Sequence, residues 1–305
     1  LSEEMSPGDI AKLSNSDELV FRAEFLNARP TADQLYWRAL VLDDYKQQEG
    51  RAVWSASGLF QQADWFPKSW KPEEGEGVYD YRIIQEANNK KWLFGLRGIA
   101  AMEPGIGMTR DDRIVSRNKN RKRKSYLVRS FPTMKIAAQG INTRVRQQSL
   151  QLDGYNPKAR QLAQQIFLQQ ATDRQRMETM LQYYQQQAFS YTLQPQPMLN
   201  NDIDQFLFSN RAGFCAHYAS SFAFVMRAME IPARIVAGYQ GGEINPATGH
   251  ITVRQYDAHA WVEVWLEGEG WVSIDPTAQV APDRISLGIR NAVANEEFLT
   301  GANCA

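Results

Sequence analysis

Cys215, His259 and Asp275 are the residues of this 305-residue sequence whose types and order could carry out covalent chemistry. Candidates are few, because the chain holds two Cys and three His. Residues 211–230 read RAGFCAHYASSFAFVMRAME, where Gly213 can turn the chain just before a strong helical pattern. Cys215, Ala219, Phe222, Met226 and Met229 recur at spacings of four, three, four and three, one apolar stripe. That pattern places the thiol in the first helical turn, where unpaired N–H groups and the macrodipole favour a thiolate. A lone Cys in such a stripe also fits a small buried hydrophobe. Pro232 stops the helix.

The histidines divide by context. His217 lies two residues from Cys215, about 200° round a helix, so it faces away from the thiol and reads as a structural or substrate-wall residue. His250 sits in the polar stretch GGEINPATGH and reads as solvated. His259 opens HAWVEVWL, an alternating strand with His259, Trp261, Glu263 and Trp265 on one face. Glu267 to Gly270 turns the chain, and Trp271 to Asp275 (WVSID) returns as the antiparallel partner, ended by Pro276. A three- or five-residue loop centred on Gly268 pairs Trp261 with Asp275 and sets His259 diagonally across the same face. A two-residue turn at Gly268–Glu269 would put His259 and Asp275 on opposite faces. We expect the odd-length loop, for which a bulge at Gly270 is one device. Asp275 also fits a turn acid before proline. Taken together, the three residues form a set of nucleophile, base and orienting acid.

Two other regions must position them. Glu18–Phe25, Leu35–Leu42, Val78–Gln85, Lys91–Leu96 and Tyr126–Phe131 are rich in aromatic and β-branched residues, with Pro, Gly, Asp and Asn between them. This is the pattern of an antiparallel sandwich or barrel. Within residues 117–124, RNKNRKRK carries six positive charges and reads as a solvated hairpin tip, with an anionic-lipid or nucleic-acid patch as the alternative. From Pro157 to Gln187, Leu162, Ile166, Leu168, Met177, Met180, Leu181 and Tyr184 recur at helical spacing, predicting two amphipathic helices broken near Ala171–Thr172.

Composition removes several functions. Lys+Arg and Asp+Glu both number 34, so no net charge favours nucleic acid, and a nucleic-acid partner is not expected. Two Cys cannot build a disulfide scaffold, and no EF-hand loop or ordered carboxylate cluster suggests calcium. No metal or cofactor is expected. No apolar run approaches a membrane span, and the sequence reads as an excised or processed soluble region.

The segments GFCAHYASSF, IPARIVAGYQGGE, DAHAWVEVW and GWVSIDPTA, spread from Tyr191 to Ile285, resemble the core motifs of the transglutaminase-like superfamily. PGDIAKLSNSDELVFRAEF (Pro7 to Phe25) and LYWRALVLDDY (Leu35 to Tyr45) resemble the region before that core in a bacterial subgroup. Members of that subgroup are inner-membrane proteins with a periplasmic transglutaminase-like region between transmembrane helices. The resemblance implies an α+β fold with a papain-like core, the Cys helix packed on an antiparallel sheet, preceded by an antiparallel β-rich sandwich or barrel. The domains expected are a β-rich region at 1–132, a helical connection at 133–190 and the core at 191–290. A tail at 291–305 would lead toward a transmembrane helix.

Carried onto this sequence, the resemblance makes Cys215 the nucleophile, His259 the general acid/base and Asp275 the group that orients His259. The implied function is a periplasmic thiol acyltransferase that joins a glutamine-type carboxamide to an amine through an acyl-thioester. A hydrolytic amidase or peptidase, and a non-catalytic binding module, are the alternatives. Protein or peptide glutamine and amine substrates, peptidoglycan-linked peptides among them, are the implied partners, together with the protein's own transmembrane segments. The Cys215 N–H is the natural first oxyanion donor, and Asn210 and Tyr191 are candidates for the second. Trp261, Trp265 and Trp271 would line the acyl site or pack the hairpin, and Arg234 would meet substrate or lie at the surface. Cys304 could pair with Cys215 in an oxidising compartment, though a tail leading to the membrane argues against it.

Overall fold

The computed structural model describes residues 1–67 and 78–288; the tail at 291–305, with Cys304, lies outside them. Its centre is a four-stranded antiparallel sheet made of β1 (Tyr36–Leu42), β2 (Ala233–Gln240), β3 (Ala258–Leu266) and β4 (Gly270–Ile274). The order across the sheet is β4–β3–β2–β1. All eight residues of β2 are buried, as suits a central strand covered on both faces. On one face lies the Cys helix (Cys215–Ala228), and every residue from Cys215 to Arg227 is buried. The apolar stripe marked one side of a helix that is in fact enclosed all round, as a core helix is.

The helices at Pro157–Gln169 and Asp173–Gln186 pack beside it, broken where the sequence predicts. The break has a local cause. Thr172 Oγ1 accepts from Gln175 N–H at 3.2 Å, and Gln175 Oε1 accepts from Thr172 N–H at 3.2 Å, a capping box that starts the second helix. Ile166, Met177, Met180 and Tyr184 face the core, whereas Leu168 is 76% exposed and not part of the apolar face expected of it.

The N-terminal region contributes a six-stranded antiparallel sheet in the order 243–244, 251–254, 19–25, 79–85, 124–130, 99–101. Its membership crosses the division expected between residues 1–132 and 191–290. The strand Ile251–Arg254 pairs with Leu19–Phe25, and β1 pairs with β2 in the central sheet. The core region thus lends two short strands and the N-terminal region lends β1 in return, which covers backbone edges that would otherwise be open. Alternation predicts a strand but not its partner, so this exchange leaves no local trace.

Two expectations for the β-rich region are corrected. Lys91–Leu96 is extended but forms no ladder beyond single bridges from Trp92 to Val115 and Gly95 to Arg38. Side chains take over part of its bonding: Phe94 N–H donates to Tyr126 Oη at 2.8 Å and Leu96 N–H to Tyr81 Oη at 2.7 Å. The basic stretch 117–124 is no hairpin tip, because it joins strand Arg113–Ser116 of a three-stranded sheet to strand Lys124–Ser130 of the six-stranded one. Buried Asn120 pins the stretch by donating to the Trp92 carbonyl at 3.3 Å.

The contact of β1 with β2 depends on Gly238. A Cβ at that position would sit 1.9 Å from the Trp37 carbonyl oxygen. The register shifts there, Ala237 opposing Leu40 and Gly238 opposing Arg38, so Ala39 is an extra residue. Gly238→Ala is therefore expected to push β1 off the sheet and cost about 1–3 kcal/mol, read as a lower urea midpoint.

Candidate active site

The β3–β4 hairpin sets the distance between His259 and Asp275. Leu266 pairs with Gly270, leaving a three-residue loop in which Gly268 has φ +74°. The register continues through Val262 opposite Ile274, so Asp275 follows in line with Trp261 and diagonally across from His259. The His259 Nε2–H donates to Asp275 Oδ2 at 2.7 Å. The odd-length loop anticipated from the sequence is what makes this bond geometrically available.

His259 is fully buried, and its Nδ1 has no hydrogen-bond partner of standard geometry. Cys215, also buried and a free thiol, is close enough to the ring to interact with it electrostatically and as a weak hydrogen-bonding group. Burial would lower the imidazole pKa, but the Asp275 charge, then Cys215, push it up to about 9. Burial works against the Asp275 charge as well. The His259 charge, with hydrogen bonds from His259, Tyr36 and the Thr277 N–H, nevertheless holds the Asp275 carboxyl below its usual range. The pair is thus an imidazolium held against a carboxylate, with the Cys215 sulfur close by.

Cys215 occupies the first position of its helix, after Phe214 as N-cap. The cap contact comes from His217, whose Nδ1 accepts from the Phe214 N–H at 3.3 Å. Burial pushes the His217 imidazole down to about 4, so the ring is neutral and can accept. Gly213 is needed beside it, since a Cβ there would meet the His217 ring at 2.9 Å. His217 is thus structural, and His250 is partly exposed at 3.6 Å from Glu24.

The other expected residues scatter. Tyr191 is buried in a short parallel bridge with Gly213, near Cys215. Burial first, then the neighbouring Cys215, raise its phenol well above its ordinary value, while Arg284 opposes them. Asn210 is half-buried at the end of the helical turn Phe206–Asn210. Trp261 is buried against Val41, Val236 and Tyr36 and stacks on the His259 ring at 6.3 Å. It also walls a cavity of about 450 Å³ that reaches Tyr36, Asp275, Tyr79 and Arg97. Trp265 and Trp271 are not brought to the pair; they pack with Met134 and Ile136, and Trp265 Nε1–H donates to the Ala137 carbonyl at 3.0 Å. They anchor the linker to the far end of the hairpin.

Arg234 is not at the surface. It is 1% exposed and binds Glu263 through Nε at 2.8 Å, with its guanidinium 4.0 Å from the Trp271 ring. Glu263 also takes Arg38 at 2.5 Å and Arg97 at 3.3 Å. Burial opposes the Glu263 charge, yet Arg38, Arg234 and Arg97 hold its carboxyl down to about 2. The polar face of β3 is therefore a second buried layer and not a solvated one.

Sequence reasoning missed three residues here: Glu263 as the centre of the charge cluster, Tyr36 and Arg284. Tyr36 Oη donates to Asp275 Oδ2 at 2.7 Å from 239 positions away. Fully buried Arg284 donates to Gln240 Oε1 at 3.2 Å and sits beside Tyr191, Cys215 and Asp257, which hold its pKa up against the cost of burial. For Tyr36 a signal was present. Tyr36 and Arg38 are polar at i and i+2 in an otherwise apolar strand, matching His259, Trp261 and Glu263 on β3. For Arg284 there was none.

Comparison with known proteins is consistent with this geometry. The family described as "TgpA N-terminal domain" matches residues 1–137, and the transglutaminase-like superfamily matches residues 160–276. A protein-glutamine gamma-glutamyltransferase of Pseudomonas aeruginosa is 41% identical over 304 residues, 99% of this chain and 44% of that protein. The chain thus spans less than half of that relative's length. An uncharacterised Bacillus subtilis protein, YebA, is 38% identical over 102 residues, 31% of this chain and 14% of its own. The crystal structure of the periplasmic domain of TgpA from Pseudomonas aeruginosa superposes with a TM-score of 0.86 at 40% identity, over 95% of this chain and 98% of that one. Among the described residues, no helix is long and apolar enough to cross a membrane.

Proposed function

The chain belongs to the transglutaminase-like superfamily in its TgpA form, and on that premise we propose that it is a thiol acyltransferase acting on glutamine-type carboxamides. The observation that carries the reading is the buried His259, bonded through Nε2 to Asp275 at 2.7 Å and interacting with the buried Cys215. In the first half-reaction Cys215, its proton held by His259, attacks the carboxamide carbon as the thiolate, and the tetrahedral oxyanion meets the Cys215 backbone N–H at the helix start. The C–N bond breaks as His259 gives its proton to the departing nitrogen, which leaves as ammonia. An acyl-thioester remains on Cys215.

In the second half-reaction a primary amine attacks the thioester carbon and gives its proton to His259, and Cys215 leaves as thiolate. Asp275 keeps the imidazole in the tautomer and orientation that both proton transfers need. Tyr191, held beside Cys215 and Arg284, is our candidate for the second oxyanion donor. By analogy with the TgpA domain, the site would work in the periplasm, on a region carried by an inner-membrane protein, with protein or peptide substrates.

Mass analysis of a glutamine peptide incubated with the protein and excess primary amine tests this. The expected product is the amine adduct, with ammonia released. Deamidated peptide alone, in saturating amine, would assign the same residues to an amidase. Unaltered peptide over a panel of glutamine donors, with Cys215 reacting as an ordinary thiol, would leave a binding module.

A further inference from the structure

Tyr36 brings a hydroxyl from the N-terminal region to the His259–Asp275 pair. Asp275 Oδ2 accepts from both His259 Nε2 and Tyr36 Oη at 2.7 Å, and Oδ1 accepts from the Thr277 N–H at 3.0 Å. A terminal carboxylate torsion is broad, so a bond to His259 alone would leave its plane loosely defined. Thr277 and Tyr36 hold it from two further directions. The phenol is itself held, with its ring edge-on to Trp261 at 5.1 Å and its strand β1 paired to β2. Burial, then the Asp275 charge, raise its pKa far above the ordinary value, so it stays a donor throughout the working range.

We propose that Tyr36 is a positioning residue for the thiol chemistry: its O–H fixes the Asp275 carboxylate against His259 and shares the charge on Oδ2. The proposal rests on the reading of Cys215, His259 and Asp275 as the reacting set. It makes the N-terminal region part of the catalytic machinery, because a core without β1 would lack this donor. The sign of its effect follows from charge. An oxygen that serves two donors is a weaker partner for each, so the Tyr36 hydroxyl restrains how tightly Asp275 holds the His259 proton. The other titratable groups facing this cluster are Cys215 on the Cys helix, Tyr191 in its short strand, Arg284 on the turn of helix Pro282–Ser286, Asp33 in the turn before β1, and Arg97 and Tyr79 across the cavity. None of them changes when Tyr36 is altered.

The test is the pH dependence of Cys215 alkylation by iodoacetamide, with that of acyl transfer, in the complete chain. Tyr36→Phe keeps the ring and removes the donor. Its alkaline limb, which follows loss of the His259 proton, is expected to move up by roughly half a pH unit. The kcat is expected to fall roughly tenfold or more, with KM changed little. A fluorinated tyrosine at position 36, a stronger donor of nearly the same shape, is expected to move the limb down. It keeps the test decisive should the Phe variant fold poorly. A limb unmoved by both substitutions overturns the proposal, even if activity falls, since a purely structural role would lower the rate without shifting the titration. If wild-type Cys215 alkylates like an ordinary thiol with no such limb, the catalytic pair itself fails, and the proposal fails with it.

Discussion

Cys215→Ala is expected to lose both acyl transfer and hydrolysis, with kcat falling by about 10⁴-fold or more. A nucleophile removed from a set that acts as a unit takes nearly the whole rate with it, because no neighbouring group can form the covalent intermediate. The fold should survive. Cys215 is 1% exposed in a closely packed helix, and loss of one sulfur leaves only a small void beside His259. Its melting temperature is expected to stay within a few degrees of wild type, about the effect of 1 kcal/mol. A second readout is the imidazole. Because Cys215 contributes to holding the His259 proton, the ring should titrate below the wild-type value of about 9 in this variant. Nuclear magnetic resonance of the ring would measure it. Activity that persists in a folded Cys215→Ala protein would remove the nucleophile assignment altogether.

Glu263→Ala is expected to have the largest effect on stability. Glu263 is fully buried and bound by Arg38 from β1, Arg234 from β2 and Arg97 from the N-terminal region. Its removal leaves three guanidinium groups facing one another, two of them, Arg38 and Arg234, buried on paired strands. Removal of one partner from a buried ionic cluster costs about 3–5 kcal/mol, which for a chain of this size lowers the melting temperature by roughly 10 °C. The pH dependence gives a second handle. The Glu263 carboxyl is held at about 2 in the fold, against an ordinary value of 4.5. A depressed pKa contributes stability that is present above the ordinary value and lost as pH falls through the depressed one. Wild type should therefore lose stability between about pH 4.5 and pH 2 more steeply than the Ala variant. Calorimetric melting over that range would show it, and equal slopes would mean that other carboxylates dominate acid unfolding.

The proposed triplet was legible because the pattern that places each of its members is local. Cys215 is placed by the turn at Gly213 and the helical spacing that follows. His259 and Asp275 lie 16 residues apart in one hairpin, where strand alternation and the parity of one loop decide whether their side chains meet. Periodicity and turn length act over a few residues, so the amino-acid order alone is enough to set them. The cap break at Thr172 was readable for the same reason.

The partners of these residues depend on contacts that no local pattern encodes. Tyr36 reaches Asp275 across 239 positions, Arg38 reaches Glu263 across 225, and both depend on β1 having crossed to the edge of β2. Trp265 and Trp271 share the hairpin with His259, yet the fold turns them toward Met134 and Ile136 because the linker lies over that end. Alternation placed His259, Trp261, Glu263 and Trp265 on one face. Whether that face met water, a charge cluster or a thiol was settled by what packed on it. The placement of the proposed nucleophile and its base is thus written in short-range order along the chain. Their orientation, their charge balance and their dependence on the N-terminal strand arise from long-range packing, where burial gives each polar atom a partner that sequence distance conceals.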